Sequence, residues 1–214
     1  MALRLTVDRE NPADAPLVLA AEVIQAGGVV VYPTDTLYGI GANALNPKAV
    51  VRVHAIKERP RRKPILVLVS DLDGVRELVL EVNPTARKLM DAFWPGPLTL
   101  LFAASPRVPE ELTLGGATIG IRLPSSPLCV RLVKLAGCPL TSTSANLSGH
   151  PSLPSIDTIQ AALKSRVDLY LDGGPLQGST PSTVVDVSGG AARIVREGSV
   201  AIERLRQIVP DISS

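Results

Sequence analysis

Short apolar runs alternate along this chain with longer stretches in which apolar positions recur every three or four residues. Val18 to Gln25 carries the helical spacing and stops at Gly27-Gly28, where glycine accepts a left-handed cap. Val29-Val30-Val31-Tyr32 is too short for a helix and rich in β-branched residues, which predicts a buried strand. Asn46-Pro47 offers an N-cap followed by proline at the first helical position. Ala49, Val50, Val53 and Ile56 continue at helical spacing, so a helix should deliver Lys57 at its C-terminus, where a cation complements the helix dipole.

Ile65 to Val69, led in by Pro64, repeats the strand pattern. Leu72 to Leu80 and Pro84 to Phe93 read as helices, the second stopped by Trp94-Pro95-Gly96-Pro97. Leu98 to Ala103 and Thr118 to Leu123 read as strands, and Leu128 to Leu135 as a helix. Leu140 to Thr143 is a brief strand running into a polar loop, and Ile156 to Leu163 is helical. Val167 to Leu171, Thr183 to Val187 and Ile194-Val195 follow as strands, then a helix from Ser199 to Val209. Strands interleaved with helices predict an α/β layer architecture around a mixed sheet. No repeat, low-complexity tract or linker interrupts the pattern, so one domain over residues 1–214, with its core at about 14–204, is expected.

Composition narrows the function. A chain of 214 residues that is 45% hydrophobic has ample material for a packed core. Only 3% of it is aromatic, which argues against a stacking platform for single-stranded nucleic acid. No apolar run approaches the roughly 20 residues that span a bilayer, and Met1 to Asp8 lacks a signal-peptide core, so a cytoplasmic protein is expected. Two cysteines, Cys129 and Cys138, and two histidines, His54 and His150, give little support to a disulfide scaffold or a zinc site. The formal net charge is +2, yet Lys57, Arg59, Arg61, Arg62 and Lys63 oppose only Glu58 within one short run. That local excess implies an anionic ligand or a nucleic-acid contact.

Familiar nucleotide motifs do not account for it. Gly39-Ile40-Gly41-Ala42-Asn43-Ala44 fits G-x-G-x-x-A, but the helix starts later, at Asn46-Pro47, and no strand acid follows at the required distance. Glycines forming a tight turn explain the pattern as well. A P-loop and a G-x-S-x-G elbow are both lacking; His54 falls within a predicted helix and His150 in a Ser-Gly-His-Pro loop, so covalent catalysis by a serine has no support in the sequence. What remains is a set of polar clusters at strand ends: Pro33 to Thr36, Lys57 to Lys63, Arg122, Thr141 to Gly149, Pro181 to Thr183, and Arg196. Hydroxyls, amides and guanidiniums gathered after strands suit a polyanion beside a small polar ligand.

In these clusters the sequence resembles the YrdC/Sua5 family of threonylcarbamoyl-AMP synthases, in its short (TsaC-type) form. The resemblance is carried by Pro33-Thr34-Asp35-Thr36-Leu37-Tyr38-Gly39, Lys57-Glu58-Arg59-Pro60, Lys63-Pro64, Trp94 to Thr99, and Ile119 to Pro124. Ser142 to Gly149, Asp172-Gly173-Gly174 and Ser182 to Asp186 complete it, in family order over nearly the whole chain. It implies a twisted open mixed sheet with a concave, positively charged cleft and no further C-terminal Sua5 domain. The implied reaction joins L-threonine, bicarbonate and ATP into L-threonylcarbamoyladenylate and pyrophosphate. That adenylate serves N6-threonylcarbamoyladenosine at position 37 of tRNA, after transfer by a separate enzyme complex.

Carried over residue by residue, the resemblance sets threonine against Thr36, Arg122, Ser142 and Ser182. ATP is set against Arg59, Lys63, Thr118, Ser144, Asn146, Ser152 and Arg196, with Lys57 and Arg59 as the catalytic cations. Mg²⁺ is expected on the ATP phosphates, held mostly by substrate oxygens and water, with no protein metal site and no prosthetic group. Leu68 departs from the pattern, since many members carry histidine there, so one polar contact to the amino acid is missing or replaced. Pro181 stands where long forms have glutamate. An alternative reading stays open: a module that binds RNA through the basic cleft without making an adenylate.

Overall fold

The computed structural model describes residues 2–58, 65–176 and 180–213. Among them, ten strands form one mixed sheet in the order β1-β8-β2-β3-β7-β4-β6-β5-β9-β10. The strands are β1 (Leu3–Thr6), β2 (Val30–Pro33), β3 (Tyr38–Gly41), β4 (Leu66–Leu68), β5 (Leu98–Ala103), β6 (Thr118–Arg122), β7 (Leu140–Ser144), β8 (Leu169–Asp172), β9 (Thr183–Asp186) and β10 (Arg193–Arg196). The helices are α1 (Asp14–Gln25), α2 (Pro47–Ile56), α3 (Leu72–Leu78), α4 (Pro84–Phe93), α5 (Glu110–Thr113), α6 (Pro127–Ala136), α7 (Ile156–Leu163) and α8 (Ile202–Ile208). Parallel pairs (β1/β8, β2/β8, β4/β6, β5/β9) mix with antiparallel ones (β2/β3, β3/β7, β4/β7, β5/β6, β9/β10), so the expected α/β mixed sheet is present.

Two apolar cores flank the sheet. Helices α2, α3, α4, α7 and α8 bury their stripes against one face, where Val67, Leu98, Leu100, Ile119, Ile121 and Val185 point. On the other face α1 and α6 pack over Val30, Tyr32, Leu169 and Leu171. Side chains alternate along a strand, so the residues between those core positions must face the second side. On β5, β6 and β9 these are Thr99, Leu101, Gly120, Arg122 and Val184, and they line an open cleft instead of meeting a helix. The stretch of sheet beyond α1 and α6 is therefore where polar strand residues can face a ligand.

Asn46 caps α2 as the sequence predicts, its Oδ1 accepting from Lys48 N and Ala49 N, and Lys57 follows as the C-cap. Three expectations need correction. The Gly39–Gly41 segment is a buried strand, not a tight turn. The ring of Tyr32 lies against it so closely that a Cβ on Gly41 would sit 2.3 Å from Tyr32 Cε1. Glycine is needed there for close approach, and its weak strand propensity hid the strand. Secondly, α1 begins at Asp14 rather than Val18, because Pro16 is tolerated in a first helical turn. Thirdly, α8 spans Ile202–Ile208 instead of starting at Ser199, whose backbone N–H donates to Pro181 O at 2.9 Å. Strand β1 lacks an apolar run because most of it is exposed at the sheet edge, and the sequence pattern missed it.

Candidate active site

A cleft of about 730 Å³ opens on the uncovered sheet face. Thr36, Arg122, Ser142 and Ser182, the expected amino-acid set, all line it. So do Lys57, Ser144, Asn146, Ser152 and Arg196. Arg59 and Lys63 lie outside the described residues. Thr118 shares the face of β6 with Gly120 and Arg122 but is not among the residues lining the cleft.

Arg122 ends β6, with its side chain only 5% exposed, and the surrounding loops fix it. Nε donates to Gly96 O at 2.9 Å, placing the Trp94–Pro97 loop, with its cis Trp94–Pro95 bond, against the guanidinium. Nη1 donates to Thr36 Oγ1 at 3.0 Å. Nη2 stands 2.5 Å from Asp35 Oδ1 as an ion pair, without the alignment of a hydrogen bond. Asp35 Oδ2 accepts from the Ser125 hydroxyl at 2.7 Å. Thr34 shapes the turn that presents Thr36: its Oγ1 donates to Leu37 O at 2.6 Å and accepts from Thr36 N and Leu37 N. Asp35 thus neutralises a buried guanidinium that would otherwise be costly to desolvate.

Lys57 and Asn146, which the sequence treats as separate motifs, meet in space. Lys57 is 2% exposed, and its Nζ donates to Asn146 O at 2.8 Å, to Asn146 Oδ1 at 3.0 Å and to Ser144 O. The same Oδ1 accepts from Ser144 Oγ at 2.6 Å, while Asn146 Nδ2 donates to His150 O. Ser148 N donates back to Lys57 O at 2.9 Å. One amide therefore gathers the end of α2, the end of β7 and the following loop around a buried ammonium. Such charge-assisted contacts are roughly twice as strong as neutral ones.

Across the cleft, Arg196 Nη2 donates to Ser182 O at 2.8 Å and to Ser182 Oγ at 3.3 Å, and burial lowers the guanidinium pKa from its ordinary value. Gly198 makes this approach possible, since a Cβ there would lie 2.3 Å from Pro181 O. Thr99 is a functional candidate that sequence reasoning missed, and Asp35 falls within the expected Pro33 to Thr36 cluster without a role of its own there. Thr99 sat unremarked inside the Trp94 to Thr99 motif, although a threonine among apolar strand neighbours marks the opposite face. Leu68 is 1% exposed and belongs to the second core, paired with Leu140 and Arg122, so it supplies no polar contact. Among the described residues no group of three or more His, Cys, Asp or Glu gathers to hold a metal ion.

The family model Sua5/YciO/YrdC, described as telomere recombination, matches residues 22–198. A Chromobacterium violaceum protein named threonylcarbamoyl-AMP synthase is 36% identical over 177 residues, 83% of this chain and 90% of its own length. A Bacillus subtilis protein of the same name is 33% identical over 206 residues, 96% of this chain but only 60% of its own. The crystal structure of Pyrococcus abyssi Sua5 complexed with L-threonine superposes with a TM-score of 0.95 at 32% identity, covering 99% of this chain and 62% of that one.

Proposed function

Because the chain belongs to the Sua5/YciO/YrdC family, we propose that it is an L-threonylcarbamoyladenylate synthase acting on L-threonine, bicarbonate or CO₂, and ATP. The observation that carries this reading is the convergence of Thr36, Arg122, Ser142 and Ser182 with Ser144, Asn146, Ser152 and Arg196 around one cleft. The Pyrococcus abyssi relative, with a nearly superposable fold, takes L-threonine.

In the proposed reaction the threonine ammonium loses a proton, and the amine forms an N–C bond either to CO₂, releasing a second proton, or to bicarbonate, with loss of water, to give the carbamate. A carbamate oxygen then attacks the α-phosphorus of ATP, the bond to the β-phosphate breaks, and pyrophosphate leaves. Carbamate and triphosphate repel each other, so catalysis rests on positioning and on cations that screen their encounter. Arg122, with Thr36, Ser142 and Ser182, holds the amino acid in this scheme. Lys57, Arg59, Lys63 and Arg196, with Ser144, Asn146, Ser152 and Thr118, take the nucleotide. Lys57 acts through the loop it organises and through its positive potential. The lining of Lys57, Arg122 and Arg196 with hydroxyls suits phosphate oxygens better than a divalent cation, so Mg²⁺ rides on the nucleotide and water.

The adenylate would pass to a tRNA threonylcarbamoyl transferase complex in the cytoplasm, and the 57–63 run would give at most a weak, salt-sensitive RNA contact. Among the described residues no helix is long and apolar enough to cross a membrane. The single domain is proposed to be sufficient for the reaction. The protein is mixed with ATP, L-threonine and ¹⁴C-bicarbonate, and a labelled adenylate with threonine-dependent pyrophosphate release is expected. Pyrophosphate released equally without threonine would overturn the assignment.

A further inference from the structure

Thr99 sits inside β5 and is 1% exposed, on the cleft side between Leu98 and Leu100, which point into the first core. Its Oγ1 is 2.9 Å from Ser182 Oγ, the oxygen that also accepts from Arg196 Nη2 at 3.3 Å. The Thr99 methyl is turned toward Gly120, where a Cβ would lie 3.5 Å from Thr99 Cγ2. A β-branched side chain in a strand has few rotamers, so with the methyl on the Gly120 side the hydroxyl is held toward Ser182.

Hydrogen-bond direction then follows from counting protons. A hydroxyl has one proton and two lone pairs. Among the described residues Thr99 Oγ1 bonds only to Ser182. Were Ser182 the donor, the Thr99 proton would lie buried without an acceptor, an arrangement proteins avoid. With Thr99 as donor nothing is orphaned: Thr99 and Arg196 fill the two lone pairs of Ser182 Oγ, and the Ser182 proton is left for the cleft.

We infer that Thr99 is a positioning residue, which orients the Ser182 hydroxyl as a donor toward an acceptor oxygen of the bound amino acid. The inference rests on the proposed role of Ser182 in holding threonine. It also limits the ligand group opposite Ser182 to an oxygen acceptor, excluding the ammonium.

The test is calorimetric titration of the full chain with L-threonine, with apparent KM values for threonine and ATP. Thr99→Val, which keeps the shape and removes the hydroxyl, should weaken threonine binding about tenfold and leave the ATP KM within twofold. Thr99→Ser should stay within threefold of the wild type. In a Ser182→Ala background Thr99→Val should add nothing, because the group it orients is gone. If Ser182→Ala weakens threonine binding and Thr99→Val does not, the inference falls and the functional reading stands. The inference also falls if the two losses multiply, or if the ATP KM rises as much as that for threonine. Unchanged threonine binding in Ser182→Ala overturns the Ser182 role and the inference together, and a wild-type chain that binds no threonine overturns the functional reading as well. Should Thr99→Val fail to fold, Thr99→Ala is read by the same criteria.

Discussion

Replacing Asn146 separates what the loop amide does for folding from what it does for chemistry. In Asn146→Ala the Lys57 ammonium keeps two backbone acceptors, Ser144 O and Asn146 O, and loses Oδ1. The Ser144 hydroxyl loses its acceptor, and the tie from Nδ2 to His150 O goes too. A hydrogen bond to a charged group contributes about 1.5–3 kcal/mol and a neutral one about 1, but losses within one network do not add fully. The expected cost is about 3 kcal/mol, which for a chain of this size lowers Tm by about 6–12 °C. Asn146→Asp keeps an acceptor for Lys57 and gains an ion pair while losing only the Nδ2 donor. Its Tm should fall by no more than about 4 °C. Activity should follow the opposite order, because the new carboxylate cancels the positive potential proposed to meet the triphosphate. Pyrophosphate release by Asn146→Asp should be at least about a hundredfold slower, a loss of about 2.7 kcal/mol in transition-state stabilisation. Thermal melts followed by circular dichroism, with a coupled pyrophosphate assay, read both quantities. An Asp variant that keeps wild-type rates, or an Ala variant with wild-type Tm, would refute the reasoning.

Further expectations concern packing, the amino-acid subsite and acid stability. Gly41→Ala places a methyl 2.3 Å from Tyr32 Cε1, and overpacking of this kind costs about 1–3 kcal/mol, visible as a lower urea midpoint. A midpoint equal to the wild type would show that β2 and β3 separate easily. Arg122→Lys keeps the charge but cannot reproduce the fork that reaches both Gly96 O and Thr36 Oγ1, so the threonine KM should rise by about tenfold; an unchanged KM would remove Arg122 from the amino-acid subsite. For Asp168 and Asp172 burial pushes the pKa up, but Arg52 with Val29 N–H, and Arg4 with Gly174 N–H, outweigh it and hold both below 3.8. Because these folded values are depressed, the stability they contribute is present above the unfolded carboxylate range, near pH 4, and is lost as pH falls through the folded values. Urea midpoints should therefore drop below pH 4, and less so in Asp168→Asn. Burial raises the Cys129 thiol to about 12 and the Cys138 thiol to about 11, so neither should react quickly with iodoacetamide at pH 8 until the chain unfolds.

Elements whose apolar spacing matched their burial were legible. Helices α2, α4, α6 and α7 and strands β5 and β6 fall within a residue or two of the sequence reading, because the helices carry a buried stripe and a cap residue and the strands a short apolar run. Failures had particular causes. Strand β3 is half glycine, and the fingerprint-like spacing of Gly39 and Gly41 answers to the Tyr32 ring and not to a nucleotide. Helix α5 has only four residues and no periodicity to detect. At the site, residue types gave the clusters, and resemblance gave their grouping. Contacts joining one cluster to another were invisible, since Lys57 and Asn146 lie 89 positions apart and Arg122 and Thr36 lie 86 apart.

Those long-range contacts also explain why the cleft can be polar inside an apolar sheet. A guanidinium at Arg122 and an ammonium at Lys57 are each buried to 5% exposure or less, a placement normally penalised by desolvation. Hydrogen-bond acceptors meet both groups. Arg122 has a carboxylate, Asp35, and two neutral acceptors; the acceptors around Lys57 include the carbonyls of Ser144 and Asn146 and one amide oxygen. A carboxylate partner cancels the field at Arg122, so the subsite around it is shaped mainly by hydrogen-bond geometry and suits a zwitterion. Removing that carboxylate should therefore change the preference: Asp35→Asn should raise the affinity of the Arg122 subsite for anions, read as inhibition of pyrophosphate release by simple carboxylates such as acetate. If acetate inhibits Asp35→Asn no better than the wild type, Asp35 does not set the charge preference of the Arg122 subsite.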